Sequence, residues 1–285
     1  MSSLKEIKGR IASVQSTQKI TSAMRMVASA KLHRTQQMTQ TFVEYINEMQ
    51  DIISSLGGIG KAEARKDAAR VVLVPVSSGS GLCGAFNSNI AKAAKAAIDD
   101  YKAQGAEVQV IPIGKKVAHE LRDMECNMDF NLIGEHIGKD DAFAECCRLM
   151  AYLQKLVKEG EADEVVFIYH HFKSMGSQVI CRESLDMLPP QLNDSEDTQT
   201  GGDYITEPSP EQLIAELHPK MLNGKVYGIL LDSVTSEHAA RMLAMQTADD
   251  NAKELLQELT LQYNKSRQQA ITNELIDIMG GKVAQ

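Results

Sequence analysis

The residues best placed to do chemistry are Gly79-Ser80-Gly81-Leu82-Cys83-Gly84, a G-x-G-x-x-G run directly after a β-branched stretch and before a helical one. Glycines in that context let a dinucleotide's pyrophosphate sit on a helix N-terminus. Such a site also wants an acid at the end of the next strand, to hold a ribose hydroxyl. Here that strand ends Ile113-Gly114-Lys115-Lys116, which offers no acid, only lysines suited to a 2′-phosphate. The competing reading is a tight turn between strand and helix. A Walker-type phosphate loop is excluded, because Ala85-Phe86 stand where Lys and Ser/Thr are required.

No other constellation supplies a nucleophile and its base. His119, His170 and His171 have no carboxylate or cysteine at ligand spacing, so packing or surface roles are expected of them. Ser77, Ser78 and Ser80 crowd the turn without a Gly-x-Ser-x-Gly elbow. The five cysteines, Cys83, Cys126, Cys146, Cys147 and Cys181, are odd in number and lack C-x-x-C spacing; they read as reduced, mostly buried thiols. The expectation is no catalytic residue, no cofactor and no metal.

The elements that flank this region carry a stronger pattern. Residues 10–56 and 236–279 contain neither Gly nor Pro, and all seven prolines, Pro75 to Pro219, fall between them. Leu4, Ile7, Ile11 and Val14 recur at steps of three and four; the stripe weakens at Gln18 and Thr21, then resumes through Met24 and Val27. Phe42, Ile46, Met49, Ile53 and Leu56 complete it, and Gly57-Gly58-Ile59-Gly60 stops it. A helix of about 50 residues spans roughly 75 Å. At the other end Met245, Ala248, Ala252, Leu255 and Leu259 form a matching seam; Ile271, Leu275 and Ile278 continue it, and Gly280-Gly281 end it. Two such seams in one chain predict an antiparallel coiled coil.

Between the seams the pattern alternates. Strands are expected at 69–76, 108–113, 165–170 and 178–188, the last two forming a hairpin around Met175-Gly176. Helices are expected at 87–102, 115–123 and 140–158. This order implies a small sheet with helices on its faces. The fold class is therefore α/β: a long antiparallel coiled coil of N- and C-terminal helices plus a central Rossmann-like α/β domain. The boundaries read as 1–58 for the first helix, 68–190 for the α/β domain, 191–209 for a linker and 210–285 for the last helix. Within 211–235, Leu213 to Leu217 reads as helix, whereas Pro219, Gly224, Gly228 and Val226-Tyr227 also allow a short strand.

Composition narrows the function classes. Of the 285 residues only 5% are aromatic and none is Trp, which argues against a stacking surface for single-stranded nucleic acid. No apolar run reaches the roughly 18 residues of a membrane span, and no signal-peptide pattern opens the chain. The net charge of −8 is uneven: residues 1–34 carry seven bases against Glu6 alone, a net +6, which leaves −14 for the rest. A basic amphipathic helix on an acidic protein asks for an acidic or anionic partner surface.

Four runs then bring a resemblance. Residues 7–31 (IKGRIASVQSTQKITSAMRMVASAK) closely resemble the N-terminal helix of the gamma subunits of F-type ATP synthases. Residues 236–252 (SEHAARMLAMQTADDNA) and 263–274 (YNKSRQQAITNE) resemble that family's C-terminal helix, and Gly81 to Asn87 is similar to its Gly-Leu-Cys-Gly-Gly-Phe-Asn turn. The family usually shows Ser-Asp-Arg before that turn where this chain has Ser78-Gly79-Ser80, so the dinucleotide fingerprint arises partly from that substitution.

The resemblance, to bacterial versions, implies a noncatalytic central-stalk rotor. It implies a coiled coil standing inside a ring of three alpha and three beta subunits. The central domain would lie near epsilon and the membrane c-ring, with delta reached indirectly and no nucleic acid or inserted membrane segment. Proton flow turns the rotor, and its asymmetry drives the catalytic sites that make or hydrolyse ATP. By the same resemblance Lys8, Arg10, Met24, Arg25, Glu237, Arg241, Arg267, Gln268, Thr272 and Glu274 are expected to contact the ring. It also favours helix over strand for 211–235, and a location on the cytoplasmic face of the inner membrane, held through the complex. Chloroplast members carry a dithiol near the C-terminal third; with no cysteine after Cys181, no such redox switch is expected. Ala23, Met24, Met26, Ala28, Ala30, Met242, Ala244 and Met245 supply small or flexible side chains that suit a turning face. The alternatives are an NADP-dependent enzyme with coiled-coil extensions, and a basic-helix scaffold for nucleic acid or anionic membrane.

Overall fold

The computed structural model describes residues 4–56, 69–122, 141–185 and 209–283, with scattered positions at 126–137, 187 and 207. The glycine stop at 57–60 and most of the linker fall outside the described residues. The chain divides into two compact units, one formed by Met1–Ser29 with Arg241–Gln285, the other by Ala30–Ala240.

Helix α1 spans Leu4–Ser55. The larger unit then adds β1 (Arg70–Pro75), α2 (Phe86–Ala103), β2 (Glu107–Val110), α3 (Lys115–Glu120), α4 (Ala142–Lys158), β3 (Glu164–Ser174) and β4 (Ser177–Leu185). Helix α5 runs through Pro210–Val283. The sheet order is β2-β1-β3-β4, with β2, β1 and β3 parallel and β4 returning antiparallel through the hairpin at Met175-Gly176. The element order is as expected. Strand β2 is shorter than expected: Pro112 has no N–H for the ladder, and Ile113 keeps only an isolated bridge to Val76.

Period-two burial explains the layering. Val71, Leu73, Val166 and Ile168 face α2 through Ile90, Ala94, Ala97 and Ile98. Val72, Val74, Val165 and Phe167 point the other way, onto Leu149, Met150 and Leu153 of α4 and Val226 and Leu230 of α5. The alanines of α2 let that helix lie close to the sheet. Both covering helices end on a left-handed glycine: Gly105 (φ 82°) after α2 and Gly160 (φ 72°) after α4. In each case the next amide bonds back five residues, Ala106 to Tyr101 and Glu161 to Leu156.

The segment 211–235 is helix, not strand. Burial explains the outcome: Leu222, Val226, Tyr227, Leu230 and Leu231 recur at helical spacing and fill the core beneath the sheet. That packing outweighs Pro219, which lies inside α5. Gly224 lets the Ile46 side chain approach closely there; a Cβ would make the tip of Ile46 move aside. In this unit α1 and α5 run antiparallel: Thr39 meets Thr235 (3.4 Å between hydroxyls), Phe42 meets Tyr227 (4.9 Å between rings), and Ile46 meets Gly224.

Three seam expectations are corrected. The buried stripe of α1 passes through Ala28, not Val27, which is 57% exposed. On α5 Leu256 is half-buried while Leu255 turns outward. Ile271, Leu275 and Ile278 do not continue the seam but are exposed. In the helical unit Asp249 faces Gln18 and Arg25. Ile271 is twenty-two residues further along α5, and by antiparallel counting the first helix has run out before it. Gly280-Gly281 do not end α5, which continues to Val283. Two helical glycines cost only about 1 kcal/mol each, and no proline follows them.

Candidate functional site

The G-x-G-x-x-G run is a turn that closes on itself. Ser78 N–H donates to Asn87 Oδ1 at 3.0 Å, and the Ser78 hydroxyl lies 2.9 Å from the same oxygen and 2.5 Å from the Ser80 carbonyl. Asn87 Nδ2 donates to Cys83 Sγ at 3.2 Å. Ser77 Oγ accepts from Val117 N–H at 3.0 Å, tying the turn to α3. Leu82 (φ 64°) and Gly84 (φ 60°) both take the left-handed region, which lets so few residues reverse the chain. The side chains of Ser78 and Asn87 thus direct their hydrogen bonds into the turn.

His170 is 2% exposed and stacks on Phe86 with ring centroids 4.2 Å apart. Burial pushes its pKa down to about 4, so it is a neutral packing residue at physiological pH. Cys83 and Cys146 are buried and Cys126, Cys147 and Cys181 partly so, all as free thiols. Burial, and then neighbouring Cys147 and Glu145, push the Cys146 thiol up to about 12, which makes it a poor nucleophile.

The surface of the two long helices is the remaining candidate. Lys8, Arg10, Arg267, Gln268, Thr272 and Glu274 are exposed, whereas Met24, Arg25, Glu237 and Arg241 are half-buried. Gln268 and Thr272 come together, the Thr272 hydroxyl donating to the Gln268 carbonyl at 2.9 Å. Arg25 faces inward enough to act on Asp249. Of the small or flexible side chains, Ala28 and Met245 lie in the buried seam instead of on the outer face. The far end of α5 exposes Ile271, Leu275, Ile276, Ile278 and Met279, the last four by 55–70%. Singly exposed apolar residues are ordinary, but a contiguous group marks a surface for covering.

Two polar groupings have no counterpart in the sequence reading, although His170 and His171 are singled out there one by one. Asp249 occupies the seam between Met245 and Ala252 and is 2% exposed. Its Oδ2 lies 2.8 Å from Lys253 Nζ. That bond first, with help from Gln18 and Arg25, holds its carboxyl below the usual range. The second group joins α5 to β3. Asp232 takes the His171 ring Nδ1 at 2.6 Å and the Phe172 N–H at 2.8 Å, and Ser236 Oγ donates to the His170 carbonyl at 3.1 Å. Residues sixty or more positions apart give no sequence signal of such pairing.

Comparison with known proteins gives one consistent answer. The sequence model of the ATP synthase family (ATP-synt) matches residues 3–284. The chain is similar to the ATP synthase gamma chain of Parabacteroides distasonis, 49% identical with 99% of this chain and 98% of that one covered. It is similar too to the ATP synthase gamma chain of Phocaeicola vulgatus, 42% identical over the full length of both. Among solved structures, a chain of the Euglena gracilis mitochondrial ATP synthase (OSCP/F1/c-ring) shares its fold at a TM-score of 0.67 and 19% identity, covering 99% of this chain and 94% of that one.

Proposed function

The chain belongs to the ATP synthase gamma-chain family, noncatalytic subunits of that complex, and on that premise we propose that it is the central-stalk rotor of a proton-translocating ATP synthase. Its terminal helices turn within a ring of three alpha and three beta subunits, and its α/β domain meets epsilon and the c-ring. Torque passes through this chain in either direction, while the joining of ADP and phosphate or the splitting of ATP takes place in the ring. It works on the cytoplasmic face of the bacterial inner membrane, held there by the complex. None of the described helices is long and apolar enough to cross a membrane.

The observation that carries this reading is the exposed apolar end of α5, where Leu275, Ile276, Ile278 and Met279 stand together at 55–70% exposure. Enclosure by a surrounding ring accounts for it. Lys8, Arg10, Lys19, Arg25 and Arg241 would meet acidic loops of the ring. Met24, Glu237, Arg267, Gln268, Thr272 and Glu274 complete the proposed contact set. A gently lysed preparation tests the reading: alpha and beta ATPase subunits should co-purify with this chain in a 3:3:1 complex that resists high salt. Recovery of the chain without them, or tight stoichiometric binding of NADPH, would contradict it.

A further inference from the structure

A rotor of this design has to hold its long helices in a fixed angle on its sheet domain. Apolar packing supplies cohesion between α5 and the sheet through Val226, Leu230 and Leu231. The hydrophobic effect is non-directional, however, and resists separation better than it resists sliding or rotation. Hydrogen bonds have narrow angular preferences and supply what packing lacks.

Such bonds converge on one turn of α5. Asp232 Oδ2 lies 2.6 Å from the His171 ring and Oδ1 2.8 Å from the Phe172 N–H, so both carboxylate oxygens are committed to the end of β3. One turn later the Ser236 hydroxyl, fully buried, reaches the His170 carbonyl at 3.1 Å. The three consecutive residues 170–172, the outer two by their backbone and His171 by its ring, are thereby held by two helix residues four apart, which point the same way from a helix. Beside them lies a cavity of about 480 Å³, bounded by Phe42, Ile46, Tyr169, Phe172, Gly228 and Asp232. Apolar packing is interrupted there, and the polar ties cross where it stops. The β3 ladder also shifts register between Phe172 and Ser174, just beyond the tie; a bulge of this kind re-aims a strand end.

We propose that Asp232 and Ser236 are the torque joint of this rotor: positioning residues that fix α5 to the His170–Phe172 segment of β3, so that turning the α/β domain turns the helices without slip. The inference rests on the rotor reading above. Neither residue touches substrate; each acts through the stiffness of the connection.

The test uses the assembled complex with a rotational probe on the β3–β4 hairpin and the catalytic ring immobilised. With Asp232→Ala/Ser236→Ala, the angular spread of the probe in stalled complexes should widen about twofold, since three directional restraints are removed. Gradient-driven ATP synthesis should fall by about threefold, while ATP hydrolysis without load stays within about twofold of normal. Asp232→Asn, which still accepts from the Phe172 N–H, should restore most of the lost stiffness. An unchanged spread with full ATP synthesis overturns the proposal. So does a loss of hydrolysis equal to the loss of synthesis, which is the mark of a merely structural role. If the double variant does not assemble, His171→Ala, which removes only one half-exposed partner, must still widen the spread; an unchanged spread again overturns it. Absence of rotation with the unaltered chain would instead contradict the rotor reading itself.

Discussion

The two units of this chain solve the burial problem differently. The unit of Ala30–Ala240 covers both faces of its sheet, and Leu73, Phe167, Ile168, Leu149 and Leu153 are essentially inaccessible. The unit of Met1–Ser29 with Arg241–Gln285 has a seam through Ile7, Ala28, Met245, Ala252 and Leu259, with Thr21 and Asp249 within it. Outside that seam it exposes Ile20, Val27, Leu261 and the end of α5. The first unit holds a two-sided core and the second only its seam, although both expose some large apolar side chains, Val43, Phe143 and Met175 in the first among them. On the rotor reading proposed above, the contrast separates residues kept for stability from residues kept for a partner.

Core truncation should show the difference most strongly. In the isolated chain Phe167→Ala should cost about 3–5 kcal/mol of unfolding free energy, against under about 0.5 kcal/mol for Ile276→Ala, both read from urea denaturation. Comparable losses would erase the distinction. A Gly→Ala pair should even change sign between the units. Gly114→Ala should destabilise by roughly 1–3 kcal/mol, because φ is 97° and a Cβ would strike the Ser77 carbonyl. Gly9 lies in α1 with open space around it, so Gly9→Ala should stabilise by up to about 1 kcal/mol.

Acid should act on the units in separate windows. His170 is held neutral by burial, with a folded pKa of about 4 against an ordinary 6.5. Between those values the unfolded chain takes up a proton that the folded one refuses. Sheet-unit stability should therefore fall as pH drops from 6.5 to 4, by up to about 1.4 kcal/mol per pH unit. His170→Gln should flatten the slope. Asp249 has a lowered folded pKa, so its contribution to the helical unit is complete above the ordinary carboxylate range and fades only as pH falls below it. Fluorescence reporters on the two units, followed from pH 7 to 3, check the order. The smallest effect belongs to Arg70–Asp163, a partly exposed pair at 3.3 Å; Asp163→Asn should cost no more than about 1 kcal/mol.

Much of this was legible in the sequence because local physics dictated it. The β-branched runs, the alanine-rich α2, the hairpin at Met175-Gly176 and the gaps in Gly and Pro usage each specify an element on their own. What was not legible depends on a partner helix. A 3-4 stripe cannot say whether Val27 or Ala28, Leu255 or Leu256, faces inward, because crossing geometry and side-chain volume decide it. The outward turn of Ile271, Leu275 and Ile278 follows from where the opposing helix ends. The Asp232 and Ser236 ties join residues sixty or more positions apart, and Asp249 reads as a solvated acid until Gln18 and Arg25 are placed against it. The proposed ring-contact residues rest on motif resemblance, with no local rule behind them.

The central claim is that this chain turns within a catalytic ring. The direct measurement is single-molecule rotation: immobilise the alpha and beta ring, fix a probe to the β3–β4 hairpin, and add ATP. The account predicts unidirectional stepping through 120° intervals, one per catalytic site of a three-fold ring, at a rate that follows ATP turnover. A complex that hydrolyses ATP at its normal rate while the probe stays still would contradict it.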